Sequence, residues 1–180
     1  AQTLMSSSSQ NPEYMLIQVD VLVALHKFSA ALKLLDKALS AGASAQKVED
    51  ARLVLLLAQG QLEKVVKVRE ANAKKYGLWK HWARLGITLA AAGRYGEADQ
   101  AYERAMQKYR GTSPFVVSWL LFARGVMWAE EAGDTHRGRR FYEAAVRHLP
   151  QYLVANIHLA ELESESGQLE QAIARLESLV

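Results

Sequence analysis

The chain has 180 residues, half of them apolar, with 22 Lys and Arg against 19 Asp and Glu and no cysteine. That length suffices for a domain with a real core, and the missing thiols exclude disulfides, thiolate metal sites and cysteine nucleophiles. The apolar residues form interrupted stripes, none approaching the roughly 18 consecutive residues of a membrane-spanning helix. Of the charged residues, 21 of the 22 Lys and Arg but only 14 of the 19 Asp and Glu precede Leu153, so a basic body is followed by an acidic tail. Such a body attracts acidic partners or nucleic acid when its cations are clustered, but here they are interleaved with acids as on solvated helix faces, which argues against nucleic acid. The composition suits the cytoplasm and an exported compartment alike.

In chain order, residues 1–11 with the Ser6 to Ser9 run are expected to form a disordered tail. Asn11, Pro12 and Glu13 then read as an N-cap, a proline at the first helical position and an acid in the first turn. Phe28, Ala31, Leu35 and Ala38 follow at helical spacing, and Gly60 precedes Leu62 and Val65. The most regular stretch holds Trp82, Leu85, Gly86, Gly93, Tyr95, Ala98, Tyr102 and Ala105. Ser113 and Pro114 repeat the cap device of Asn11 and Pro12. After them come Gly133, Gly138, Tyr142, Ala145 and Pro150, and finally Leu159, Ala160, Gly167, Leu169 and Ala172. Gly60, Gly93, Gly133 and Gly167 stand where one helix must end and turn into its partner, a position that favours positive φ. No alternating β-branched run bounded by hairpin turns occurs, so the expected class is all-α.

From Trp82 to Ala105 the chain reads W-x2-L-G and then glycine, tyrosine, alanine, tyrosine and alanine, and in this it resembles the tetratricopeptide repeat, a helix pair of 34 residues. The resemblance frames five units at about 12–45, 46–78, 79–112, 119–152 and 153–180, the last incomplete. It implies a right-handed α-solenoid of about five antiparallel helix pairs, because one pair cannot bury both sides of its apolar surface. Small residues such as Gly86, Ala98, Ala105 and Gly138 would let helices approach, and Tyr95, Tyr102, Phe141 and Tyr142 would fill the larger spaces. Some positions depart from the pattern: Arg69 and Asn72 replace an aromatic and an alanine in the second unit, and Thr135 replaces an aromatic in the fourth. Ser113 to Ser118 exceed the frame before the fourth unit and predict a lengthened helix over about 114–132. Phe115, Val116 and Val117 on that extension need cover, either from the preceding loop or from a partner.

In the family the first helices line a concave surface, and positions 2, 5, 9 and 12 of a unit commonly face the ligand. Carried over by position, the resemblance implies partner-binding roles for Lys47, Asp50 and Val54, for Lys80, Ala83 and Ile87 with Arg84 beside them, for Leu120, Ala123, Met127 and Glu130, and for Ile157 and Glu161. Such a groove is basic at its entrance, small and apolar in the middle and acidic at its far end, an order that would orient a peptide. The carboxylate clamp of co-chaperone repeats is not reproduced. Lys80 and Arg84 match it, but Leu16, Asp20 and Ala51 stand where it needs lysine and asparagines.

Enzyme readings find no support. His26, His81, His136, His148 and His158 lack the i, i+4 pairing of a helical zinc site, and no nucleophile elbow, phosphate loop or dinucleotide fingerprint occurs, so no metal, cofactor or catalytic residue is expected. His136, Arg137, Arg139, Arg140 and Arg147 should lie on the convex side, as a solvated helix face or as a docking patch for an acidic partner or membrane surface. Ile173, Leu176, Leu179 and Val180 end the sequence on an apolar stripe, which calls for further repeats or, through Leu176 and Leu179, for self-association. The expected function is a non-catalytic protein-interaction scaffold that binds a peptide or protein segment in its concave groove. The alternative is a structural segment of a longer array that oligomerises through its end.

Overall fold

The computed structural model describes residues 11–179, so most of the expected N-terminal tail, and Val180, lie outside the described residues. Ten α-helices and no strand occur among the described residues, as the all-α reading requires: α1 (Pro12–Ala24), α2 (Phe28–Ser40), α3 (Ala45–Ala58), α4 (Leu62–Tyr76), α5 (Trp79–Ala91), α6 (Tyr95–Lys108), α7 (Pro114–Val126), α8 (Thr135–His148), α9 (Leu153–Glu165) and α10 (Leu169–Glu177). The chain divides into two compact units, Ala1–Val65 and Val66–Val180, with the division falling inside α4.

The first unit is built on an apolar stripe of α1, Met15, Val19 and Val23, packed against Ala31, Leu35 and Ala38 of α2 and Val48 and Leu55 of α3. Asn11 caps α1 by accepting the Glu13 N–H at 2.9 Å, with Pro12 at the first position where no N–H is required. The second unit centres on Trp82, Leu85 and Leu89 of α5 and Ala98, Tyr102 and Ala105 of α6, joined by Leu120 of α7. Gly86 admits the Tyr102 ring, since a Cβ there would lie 3.0 Å from it. Gly138 admits Ala129 in the same way, so two of the four small residues singled out by sequence prove to be points of closest approach.

The helix turns use the glycines expected of them. Gly60, Gly93, Gly133 and Gly167 all have φ between 71° and 77°. In the turn between α1 and α2 the left-handed position is held instead by His26 at φ 55°, with no glycine to signal it. Ser113 precedes Pro114 at the start of α7 as expected, but its hydroxyl makes no capping bond; its carbonyl accepts from the Tyr109 hydroxyl at 3.2 Å. Phe115, the most exposed of the three extension residues, packs edge-on against Tyr152, with ring centroids 5.7 Å apart. Val116 and Val117 are partly buried against the core, so the extension is covered largely from within the chain.

One irregularity sets the register of everything after it. Leu53, Gly86 and Ala160, at equivalent places in their helices, each stand seven residues before a turn glycine, but Gly125, which faces Tyr142 as Gly86 faces Tyr102, stands eight residues before Gly133. The extra residue is absorbed by a π turn, Met127–Glu131, closed by the Ala132 N–H on the Met127 carbonyl at 2.9 Å. The helix expected over 114–132 is thus an α-helix to Val126 continued by a π turn.

Candidate functional site

In the first unit α1 and α3 present matching faces to one cleft of about 370 Å³. Glu13, Leu16, Ile17 and Asp20 line it from α1, and Lys47, Asp50, Ala51 and Val54 line it from α3. Each residue of the first set has its counterpart 34 residues later in the second, the length of one repeat. The spacing i, i+3, i+4, i+7 puts four side chains on one face of each helix. Ile17 is 59% and Val54 47% exposed, large apolar side chains left in water beside Leu16 and Ala51. Charge frames them: Lys47 Nζ meets the Glu13 carboxylate at 2.8 Å, and Asp20 and Asp50 border the cleft. Three residues named from the sequence, Lys47, Asp50 and Val54, are therefore brought together here. Glu13 was read only as a first-turn acid and Ile17 was not named, although the 34-residue spacing back from Lys47 and Ala51 was a signal that could have assigned both to the cleft.

In the second unit the named residues fare unequally. Lys80 and Ile87 stand exposed on α5, with Arg84 half-buried between them. Ala83 is in the core at 2% exposure. Leu120 and Met127, at 0% and 1%, are core residues, and Ala123 packs partly buried against them. For Leu120 and Met127 the physical reason is the π turn; Ala83 lies on regular α5 and is buried in the core that α5 shares with α6. Counting back from Gly133 without the extra residue displaces the first-helix frame by one, and a shift of one position rotates a side chain by about 100° on an α-helix. Counted from Gly125, the place held by Ile87 in α5 belongs to Val126, which is partly exposed. Glu130 lies within the π turn, where it accepts from the Tyr142 hydroxyl at 3.1 Å and faces His158 Nδ1 at 3.1 Å. Glu161 reaches the same imidazole at 3.5 Å, so Glu130 and Glu161 share one cleft with Tyr142 and His158. Ile157 and Glu161 also border an apolar pocket of about 320 Å³ with Leu169, Ile173 and Leu176.

Comparison with known proteins agrees with the helical-repeat fold. Residues 129–180 match the family model described as tetratricopeptide repeat. Over that segment the chain matches the tetratricopeptide repeat. Its fold is similar to that of MamA, at 14% identity and a TM-score of 0.59, with 89% of this chain and 91% of that one covered. It is also similar to yeast Tom70, at 15% identity and a TM-score of 0.70, where 99% of this chain spans 37% of that one. A third solved structure, YrrB, described as a TPR protein with an unusual peptide-binding site, matches at 16% identity and a TM-score of 0.50 over 99% of this chain and 89% of that one. No curated protein matches by sequence. Tetratricopeptide repeats form protein–protein interaction scaffolds, and the helices here have that architecture. Among the described residues no group of three or more His, Asp or Glu is placed to hold a metal ion, and no helix is long and apolar enough to cross a membrane.

A polar cluster lies between the helices of the second unit. Asp99 on α6 accepts from Arg124 Nε and Nη2, both at 2.8 Å, from Trp128 Nε1 at 3.0 Å and from Arg137 Nη2 at 3.3 Å. Burial pushes its carboxyl up, but the bonds from Arg124 and Trp128 and the charges of Arg124 and Arg137 outweigh it and hold the group below its ordinary value. Arg124 also stacks on Phe141 and Arg137 on Trp128, at 4.3 and 3.5 Å from the ring centroids. Sequence reasoning missed this cluster. Asp99 is on a second helix and its partners stand 25 to 38 residues further along the chain, so no local pattern marks it.

Proposed function

We propose that this tetratricopeptide-repeat chain is a non-catalytic interaction scaffold that takes an extended or helical protein segment on its first-helix face. The observation that carries this reading is the α1–α3 cleft, lined only by residues repeated at 34-residue spacing and holding exposed Ile17 and Val54. Large apolar side chains concentrated in a concavity mark binding rather than solvation. Leu16, Ile17, Ala51 and Val54 would receive apolar side chains of the ligand, and Asp20 and Asp50 would favour a cationic residue beside them. The exposed Lys47–Glu13 pair contributes little stability and is free to open toward a ligand. In the second unit Lys80, Arg84, Ile87, Ile157 and Glu161 are assigned the same kind of role, while Ala83, Leu120 and Met127 support the surface from beneath. The peptide-binding site named for YrrB adds an analogy at the level of the fold.

Affinity capture by the wild-type chain beside Ile17→Glu/Val54→Glu tests this reading. Both positions are exposed, so helicity by circular dichroism should be unchanged. A partner retained by the wild type and lost by the variant is the expected result; equal capture by both rejects the cleft.

A second reading rests on a different observation. Leu169, Ile173 and Leu176 leave an apolar face exposed at the α9–α10 end, which a second copy of the chain would cover. Sedimentation velocity of Leu176→Glu decides it: a concentration-dependent mass that persists in this variant removes the end from consideration.

A further inference from the structure

Away from the first-helix face, α7 and α8 of the second unit enclose a cleft of about 640 Å³. Leu121 of α7 and Phe141 and Ala144 of α8 give it an apolar lining, and His136, Arg140 and Arg147 rise from α8 along it. His136, Arg140, Ala144 and Arg147 follow one another at four, four and three residues, which places them on one face of the helix. The other charged groups of the cleft are already engaged. Arg137 is bonded to Asp99 and stacked on Trp128. Asp134 spends a carboxylate oxygen on the Arg137 N–H at 2.9 Å as the cap of α8. Glu143 lies in the field of Arg175. Arg140 and Arg147 are exposed, and among the described residues neither side chain forms an ion pair or hydrogen bond.

We propose that this cleft is a second docking surface, specific for an acidic amphipathic segment of a protein partner. Arg140 and Arg147 are separated by seven residues, a rise of about 10 Å along the helix. That span matches two carboxylates two turns apart on a helical ligand, each able to take a bidentate pair from a guanidinium. An apolar side chain between the two acids would lie over Leu121 and Phe141. Charge complementarity selects the acidic partner, and the apolar lining selects a protein segment over other polyanions. A flat lipid headgroup layer cannot enter a recess. The cleft shares no lining residue with the α1–α3 cleft, so substitutions in one leave the lining of the other unchanged.

The test is fluorescence anisotropy with a labelled helical peptide carrying glutamates seven residues apart and leucines between them on the same face, beside its glutamine counterpart. The glutamate peptide should bind the wild-type chain, weaken by roughly tenfold or more in Arg140→Glu/Arg147→Glu and with rising salt, and keep its affinity for Ile17→Glu/Val54→Glu. Arg140→Gln/Arg147→Gln should fall between, which separates lost attraction from added repulsion. Equal binding of the glutamate and glutamine peptides, or of wild type and the Arg140→Glu/Arg147→Glu variant, overturns the proposal. So does binding of phosphatidylserine vesicles or a thymidine oligonucleotide without binding of the peptide.

Discussion

The indole Nε1 of Trp128 donates to Oδ1 of Asp99 at 3.0 Å, and the π turn that begins at Met127 is what carries the indole there. Asp99→Asn keeps the shape of the side chain but removes the charge that neutralises Arg124, whose side chain is 11% exposed. Loss of about 2–4 kcal/mol at neutral pH is expected from leaving a largely buried guanidinium unpaired. The Asp99 carboxyl is held below its unfolded value, so its contribution is complete above that value and disappears as the pH falls through the folded one. Urea melts of wild type and Asp99→Asn should therefore differ most near neutral pH and converge in acid below the ordinary aspartate range. A gap that stays constant with pH would show that the loss is not that of the charge.

Gly125→Ala and Gly96→Ala should change stability in opposite directions, although both glycines are in helices. A Cβ at Gly125 would come within 2.4 Å of the Tyr142 ring, which is itself buried beside Phe122, so the helices must separate at a cost of about 1–3 kcal/mol. A Cβ at Gly96 meets nothing within 4 Å, and Gly96→Ala should stabilise by about 0.5–1 kcal/mol by reducing the freedom of the unfolded chain. Thermal melts that move the same way for both would contradict the close packing of α7 on α8.

Met127→Ala and Ile87→Ala test the register shift. A count in steps of 34 from the clear repeat, adjusted only for the extension before α7, puts both side chains at one groove position, yet Met127 is buried and Ile87 is 47% exposed. Truncating the first should cost about 2–5 kcal/mol, the second well under about 1 kcal/mol. Comparable losses in equilibrium unfolding would mean that the π turn does not displace the frame.

Arg175→Met should loosen the last helix pair. Arg175 Nε lies 3.0 Å from Glu163, whose side chain is 6% exposed, and its Nη1 reaches Asn156 Oδ1 at 3.3 Å. The bond from Arg175 holds the Glu163 carboxyl below its ordinary value against the opposing effect of burial. Without it a nearly buried carboxylate is unpaired, at a cost of about 2–4 kcal/mol above the glutamate range and less in acid, where the group protonates. Faster amide exchange confined to α9 and α10 is the expected signature, and unchanged exchange there would assign the pair no structural role.

Much of the site was legible because helical repeats write their surface in a period. Lys47, Asp50 and Val54 fell on one cleft because α3 is regular and its turn glycine, Gly60, stands at the expected distance. Leu120 and Met127 did not, because one inserted residue is invisible to a count made from the wrong end of a helix. The turn at His26 was hidden for a related reason: a residue type that gives no signal occupies a backbone conformation usually marked by glycine. Asp99, Arg124 and Arg137 could not have been grouped at all, since they lie on three helices and each alone reads as an ordinary surface charge.

By itself the sequence determined the helical class, the repeat spacing and the turns marked by glycine, since these depend on local spacing: apolar residues at helical period, small residues where helices meet, glycine where φ must be positive. Only the tertiary structure decided which first-helix side chains reach solvent, where the π turn absorbs the extra residue, and which charges are spent on one another. Those outcomes depend on the packing of one helix against the next, in which a single inserted residue turns a surface position into a core one.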